Sequence, residues 1–289
     1  IDFGFFRFSV TQDWKTPHYE KMLETNAGLL RNYAAAYNIT KNERYKKIAL
    51  ETVDYVNRFL SDQEVGGFYG SQDADEEFYH LSREERKNRK YPNADKTIYV
   101  DWNSMMISSY IKAGSILNDK NSVDFAVKTS DFILENCFDG NNGLFHYFEG
   151  KPNISGLLGD NINFLNCLID VYASTKDDKY TKKIKEIASF ILKNFYDDAN
   201  YGFFDRMLKD DDLGALKHRN KQFLENSFCA HVFLRLYSLT KEMKYRGAAE
   251  NTLLHFSGIC LNFGYFSAMY AVAVDVLLNE TFDIHKINK

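Results

Sequence analysis

The sequence predicts an all-α protein of repeated helical hairpins, an α/α toroid of the six-hairpin type. Proline is rare, with 3 among 289 residues, which suits long helices because proline breaks a helix interior. A mostly apolar helix followed by an amphipathic helix returns about every sixty residues. Buried inner helices ringed by amphipathic outer ones indicate a toroid or a helical solenoid. The toroid is favoured because tetratricopeptide and ankyrin repeats have periods near 34 and 33 residues.

The composition is typical of a globular protein, with 45% apolar and 26% charged residues. The net charge of −4 provides no basic field for nucleic acid. The four cysteines form no CxxC pair, so we expect no metal site, no cofactor and thiols kept reduced in the cytoplasm. We also expect no membrane partner, because no apolar run approaches the ~18 residues of a membrane span.

Four helix pairs can be placed along the chain. The inner helices are apolar on most faces, as buried helices are. Each inner helix starts near an asparagine: Asn26, Asn103, Asn161 and Asn226. The outer helices carry one apolar stripe opposite lysines and acids. They begin near Tyr45, Val123, Tyr180 and Tyr245. Since asparagine is a favoured N-cap, we expect Asn103 to cap its helix, and Asn161 and Asn226 to belong to the same capping pattern.

A glycine followed by an apolar or aromatic residue ends each pair, and we expect short β-hairpins there. These turns are Gly67-Phe68, Gly143-Leu144, Gly202-Phe203 and Gly264-Tyr265, with Gly4-Phe5 as an earlier copy. The second unit is longer and contains an insertion, 73–100. A fifth inner helix from about residue 266 brings the number to about nine of a toroid's twelve. We therefore interpret residues 1–289 as one toroid domain, the C-terminal part of a longer protein.

In such a toroid, the loops that enter the inner helices ring one mouth, and ligand sites are concave places with convergent polar groups. The richest such stretch is 7–22, where Thr16 and Pro17 resemble the N-cap and first residue of a helix starting near residue 18. His18 and Glu20 are candidate catalytic residues in its first turns. The alternative is that Glu20 complements the helix dipole and His18 packs under the loop. Candidate substrate-binding residues here are Arg7, Asp13, Trp14 and Lys21.

Asp73 and Asp75 are a second candidate catalytic pair. Both would point the same way in an extended segment, and adjacent carboxylates can raise one pKa towards general-acid use. Calcium is excluded because no EF-hand glycine or bidentate glutamate follows at the required spacing. A solvated acidic loop is the alternative.

The third group of candidates lies at the next two inner helices. Asp101, Trp102 and Asn103 are candidate substrate-binding residues, although Asn103 could only cap its helix and Trp102 could only fill the core. Asp160 occupies the equivalent position one unit later, and Glu225 precedes Asn226 in the unit after that. The simplest interpretation of an acid beside each asparagine is a helix-capping pattern. In a toroid it also directs several carboxylates towards one mouth.

Three motifs in order resemble one family. They are Pro17-His18-Tyr19-Glu20-Lys21-Met22, Gly67-Phe68-Tyr69 followed by Gln72-Asp73-Ala74-Asp75, and Asp101-Trp102-Asn103. Together with the segment 4–9 and Trp14, they are similar to the spermatogenesis-associated protein 20-like, thioredoxin-domain-containing family. The resemblance implies an (α/α)6 toroid similar to the N-acylglucosamine 2-epimerase and six-hairpin glycosidase group. It also implies a thioredoxin-like domain and the first toroid helices upstream of residue 1.

The sequence leaves the function open between an enzyme and a scaffold. Acids, His18 and aromatic side chains around a mouth suit a sugar epimerase or isomerase, in which His18 is the best single base. Glycoside hydrolysis would use two carboxylates, with Glu20 and Asp73 or Asp75 as candidates. A non-catalytic module that partners the thioredoxin-like domain is the third reading. An enzyme should keep His18, Glu20 and Asp73 around an open pocket, whereas a scaffold could bury them in salt bridges.

Overall fold

The computed structural model describes residues 3–210 and 212–279. The chain divides into two compact units, one of Ile1–Cys137 with His146–Asn153 and the other of Phe138–Phe145 with Ile154–Lys289. Both units are built of long paired helices, and their strands are short.

The first unit contains two long helix pairs. Its helices are α1 (Leu23–Thr40), α2 (Glu43–Phe59), α3 (Glu76–His80), α4 (Arg83–Lys87), α5 (Val100–Leu117) and α6 (Lys120–Asn136). Helix α1 packs against both α2 and α5, and α5 packs against α6. The strands β1 (Lys21–Met22), β2 (Ser71–Gln72) and β3 (Ala94–Asp95) form an antiparallel sheet in that order. Strand β4 (Ile98–Tyr99) leads directly into α5.

The second unit contains two further pairs and a final helix. Its strand β5 (Phe138–Asp139) pairs with the start of β6 (Gly143–Phe148). The end of β6 and the start of β7 (Pro152–Ser155) belong to the first unit. Its helices are α7 (Leu158–Thr175), α8 (Asp178–Asn194), α9 (Phe223–Thr240), α10 (Met243–Phe256) and α11 (Ala268–Asn279). Helix α7 packs against α8, and α9 packs against α7, α10 and α11.

The inner helices are almost identical in construction. Helices α1, α5, α7 and α9 each span 18 residues. Each ends at a residue in the left-handed conformation: Lys41, Asn118, Lys176 or Lys241. This conformation commonly stops a helix because it lets the cap N–H bond back to the last turn. Nine long helices lie in the described ranges, as the sequence predicted.

The predicted role of the repeated asparagines is wrong. They lie one turn inside the inner helices, which begin at 23, 100, 158 and 223, and all four side chains are completely buried. Asn26 bonds to the backbone N–H and C=O of Phe5 at 2.8 and 3.2 Å. Asn226 bonds to both groups of Phe203 at 2.6 and 2.9 Å. Each asparagine therefore joins its inner helix to the preceding glycine turn. Because these hydrogen bonds satisfy the side-chain amide, the asparagine can be buried.

The turn glycines are required by conformation and by space. Gly143 has φ +71°, and a Cβ there would lie 2.3 Å from the Phe190 ring. Gly67 has φ +104°, and its Cβ would lie 2.7 Å from Ile98. A positive φ costs little only for glycine, so these turns can bring the backbone close to the next inner helix.

The fifth turn departs from the prediction of a β-hairpin. Residues Cys260–Ser267 form a 3-10 helix with a break at Gly264, where φ is 55° and ψ is −128°. The segment Cys260–Asn279 is long and apolar enough to cross a membrane, with a mean hydropathy of 1.4 and 6% burial. The expectation that no such run exists is therefore wrong. The described α-helical part, α11, has 12 residues, whereas a span takes ~20 helical residues.

Candidate functional site

Residues 7–20 form a hairpin rather than the start of a helix. The N–H of Arg7 bonds to the C=O of Glu20 at 2.9 Å, and the N–H of His18 bonds to the C=O of Phe8 at 2.8 Å. Pro17 lies in a bridge opposite Ser9. The predicted capping role of Thr16 and Pro17 is wrong, since the backbone here is engaged in cross-strand pairing and α1 begins only at Leu23.

The hairpin places Arg7 beside Glu20 and His18 beside an aromatic ring. The guanidinium of Arg7 lies 2.9 Å from the Glu20 carboxylate. The His18 ring stacks on Phe8 with centroids 4.9 Å apart. Asp13 accepts bonds from Thr11 Oγ1 and the Lys15 N–H, and the first of these bonds chiefly lowers the pKa of Asp13.

Two other predicted substrate contacts from this stretch differ sharply in exposure. Trp14 is 83% exposed at the hairpin tip. Lys21 is 2% exposed, with Nζ 2.6 Å from the C=O of Phe3 and 4.5 Å from the centre of the Tyr55 ring. A substrate cannot reach a cation enclosed in this way, so the predicted binding role of Lys21 is wrong. Its ammonium instead packs inside the protein, where cation–π attraction stabilises it.

Asp73 and Asp75 do not act as a matched pair. The Asp75 carboxylate accepts a bond from the N–H of Phe78 at 2.8 Å and caps α3. Asp73 is exposed, and its C=O accepts the N–H of Asp75 at 3.1 Å. The expectation of two parallel carboxylates fails because one of them satisfies a helix terminus.

The entrance of α5 holds an aromatic cluster with an acid and a histidine, which we call the Asp101 cluster (Tyr99, Asp101, Trp102 and His146). An oxygen of Asp101 lies within 4.8 Å of a ring nitrogen of His146. The Tyr99 ring packs on Trp102 at 4.7 Å and on His146 at 5.9 Å. Asp101 also accepts a bond from the N–H of Trp102 at 2.8 Å. Asn103 is buried below this cluster as a turn anchor, which removes it from the substrate-binding candidates.

Three acids come together in the second unit, and we call them the Glu225 cluster (Asp160, Asp205 and Glu225). Asp160 and Glu225 lie in the first turns of α7 and α9. Asp205 is held beside α7, because its C=O accepts the N–H of Leu158 at 2.9 Å. Asp160 is 1% exposed.

The environment of Glu225 changes its acidity. Burial, followed by the charges of Asp205 and Asp160, raises its pKa to about 7. Both effects disfavour the charged form. A carboxyl group with this pKa exchanges protons near neutral pH. The sequence showed the acid before Asn226 but not its burial or the proximity of Asp205, so Glu225 and Asp205 were missed as site residues.

Comparison with known proteins gives relatives but no family model that matches the chain. Human spermatogenesis-associated protein 20 is 21% identical, over 82% of this chain and 44% of the human protein. An uncharacterized protein of Caenorhabditis elegans is 20% identical, over 86% of this chain and 48% of the nematode protein. The chain therefore spans less than half the length of these relatives.

Solved structures with the same fold include sugar-directed enzymes. A D-mannose isomerase matches with a TM-score of 0.68 and 17% identity, over 88% of this chain and 63% of the isomerase. A GH76 α-mannanase of Bacteroides thetaiotaomicron matches with a TM-score of 0.68 and 15% identity, over 96% of this chain and 73% of the mannanase. A sugar epimerase from a ruminal bacterium has a TM-score of 0.63 and 11% identity, with coverages of 89% and 80%. The predicted fold class is thus confirmed. The chain is a homologue of spermatogenesis-associated protein 20 with the fold of the six-hairpin α/α toroids.

Proposed function

We propose that this domain acts on sugars as an epimerase or isomerase, and that Glu225 carries the proton. The observation that supports this most is the pKa of about 7 at Glu225. Near neutral pH both forms of the group are populated, so one carboxyl can remove and return a proton. The substrate class rests on fold analogy with the D-mannose isomerase and the sugar epimerase.

The reaction needs one mobile proton and no redox change. The Glu225 carboxylate would remove the proton from the carbon beside the sugar carbonyl, and the C–H electron pair would form an enolate. If the enolate turns its other face to Glu225 before the proton returns to the same carbon, the product is the epimer. Return to the former carbonyl carbon, with a proton shift between the oxygens, gives the isomer. Asp160 and Asp205 keep the pKa of Glu225 high by charge repulsion.

We prefer Glu225 to the pair His18 and Glu20 as the proton carrier. Glu20 is engaged by Arg7 at 2.9 Å, and the His18 ring is packed on Phe8. Both remain candidates by position. In the second unit, Asp160 is proposed to contact the sugar beside Glu225. Separate candidates for sugar binding in the first unit are Arg7, Asp13, Trp14, Asp101 and Trp102.

Glycoside hydrolysis is the second candidate, and the Glu225 cluster favours it. A glycosidase combines one carboxyl of raised pKa, the general acid, with a second ionised carboxylate. Glu225, whose pKa is raised, would be the general acid, and Asp160 or Asp205 would supply the second carboxyl group. The α-mannanase shares the fold.

Proton NMR of D-mannose and cellobiose incubated with the protein in D₂O tests the proposal. An epimer or isomer with deuterium at the reacting carbon is the expected product, and it should disappear with Glu225→Gln but persist with Glu250→Gln, which changes an exposed glutamate of α10. If glucose is released from cellobiose and carries no deuterium at that carbon, the domain is a glycoside hydrolase instead. If neither an epimer or isomer nor glucose is formed, the enzyme proposal is overturned. That result would favour a scaffold for a thioredoxin-like domain.

A further inference from the structure

The first unit contains an open trough along the inner helix α1, which we call the α1 trough. Its volume is about 390 Å³, within the range of small-molecule pockets. Polar side chains line it together with Met105 of α5. The polar groups are Arg7, Glu24, Thr25 and Asn32.

Gly28 forms the floor of the trough, and no neighbouring atom explains why it is glycine. Glu24, Gly28 and Asn32 are spaced by four residues and therefore share one face of α1. A Cβ added at Gly28 would meet nothing within 4 Å, whereas one at Gly114 in α5 would lie 2.7 Å from Val123. Glycine is a poor residue inside a helix. At Gly114 the close packing of α5 requires it, but at Gly28 its effect is to keep open space beside the backbone.

We infer that the α1 trough binds a saccharide whose edge lies against the backbone of Gly28. Within the described residues, the side chains of Glu24, Thr25 and Asn32 have no hydrogen-bond partner in the protein, so they can bond to sugar hydroxyls. Met105 supplies an apolar wall for a sugar face. The choice of a saccharide rests on the proposed function, while the open space and its polar lining are independent of it.

Calorimetric titration with cellobiose and D-mannose tests the inference in variants of the full chain. Gly28→Ala should weaken binding several-fold, and Gly28→Leu, which fills the trough, should weaken it at least tenfold. Both variants should keep or raise Tm, because alanine and leucine favour helices and a Cβ meets no obstacle. Gly247→Ala is the matched control, since Gly247 lies inside α10 and its Cβ would also meet nothing within 4 Å. It should raise Tm and leave binding unchanged.

Two results would overturn the inference that the α1 trough binds a saccharide. One is wild-type affinity in folded Gly28→Leu, and the other is no binding of either sugar to the wild type. Failure of the proposed function has a different signature, because sugars would still bind in a Gly28-dependent manner while no epimer, isomer or hydrolysis product formed.

Discussion

Asn103 on α5 holds both backbone groups of Phe68, accepting the N–H at 2.7 Å and donating to the C=O at 2.9 Å. Its amide also donates to the C=O of Tyr99 at 2.8 Å. Phe68 and Asn103 are both fully buried. One side chain therefore joins a glycine turn to the start of the next inner helix, and the same device recurs at Asn26 and Asn226.

Asn103→Ala should lower the free energy of unfolding by about 2–6 kcal/mol, because it leaves two buried backbone groups unpaired at about 1–3 kcal/mol each. Urea denaturation measures this loss. Asn136→Ala is a suitable control, since that side chain donates only to the C=O of Phe132 in its own helix. A loss below about 1 kcal/mol for Asn103→Ala would show that the turn is held by other contacts.

Gly143→Ala should destabilise the protein much more than Gly150→Ala. Both glycines have a positive φ, of 71° and 68°, so both variants carry backbone strain of about 1–2 kcal/mol. Only at Gly143 would the new methyl also meet the Phe190 ring and Asn161 at 2.3 and 2.6 Å. Equal losses of Tm in thermal denaturation would contradict this account of the turn.

Asp75→Ala should reduce stability without affecting turnover. The side chain caps α3, and the loss of an N-cap costs about 1 kcal/mol. Chemical denaturation and a turnover assay of the same variant separate the two roles. Abolished turnover at wild-type stability would return Asp75 to the catalytic residues.

The raised pKa of Glu225 predicts that stability falls as pH rises from about 4.5 to 7. In this window the folded state keeps a proton that the unfolded state has released, so deprotonation favours unfolding. The shift corresponds to about 3 kcal/mol at 1.36 kcal/mol per pKa unit. Glu225→Gln should remove most of this slope, which denaturation at pH 5 and pH 8 measures. If stability depends on pH in Glu225→Gln as it does in the wild type, a group other than Glu225 causes the dependence.

Local patterns were enough to predict the helix pairs, because helical periodicity and recurring glycine turns are written in short stretches of sequence. The start of α1 was misplaced, since Thr16 and Pro17 have the composition of a helix start but pair across a hairpin with Ser9 and Val10. The asparagines looked like caps, but their bonds reach residues 17 to 35 positions away. Sequence spacing does not reveal such partners.

The site was harder to predict than the fold, because its chemistry depends on burial. Lys21 and Asp75 have the residue types of a site, yet one is enclosed by aromatic rings and the other caps a helix. Glu225 looked like part of a capping pattern. Its proton chemistry arises from burial and from Asp205, which lies 20 positions earlier and is brought close only by the fold.

A carbon-13 NMR titration of the Glu225 side-chain carboxyl in the wild-type protein, assigned by comparison with Glu225→Gln, tests most directly whether this group carries the proton. We expect a midpoint near pH 7, and a lower midpoint when Asp205 is replaced by asparagine. A midpoint near 4.5, the ordinary value for a glutamate, would contradict the assignment of Glu225 as the group that carries the proton.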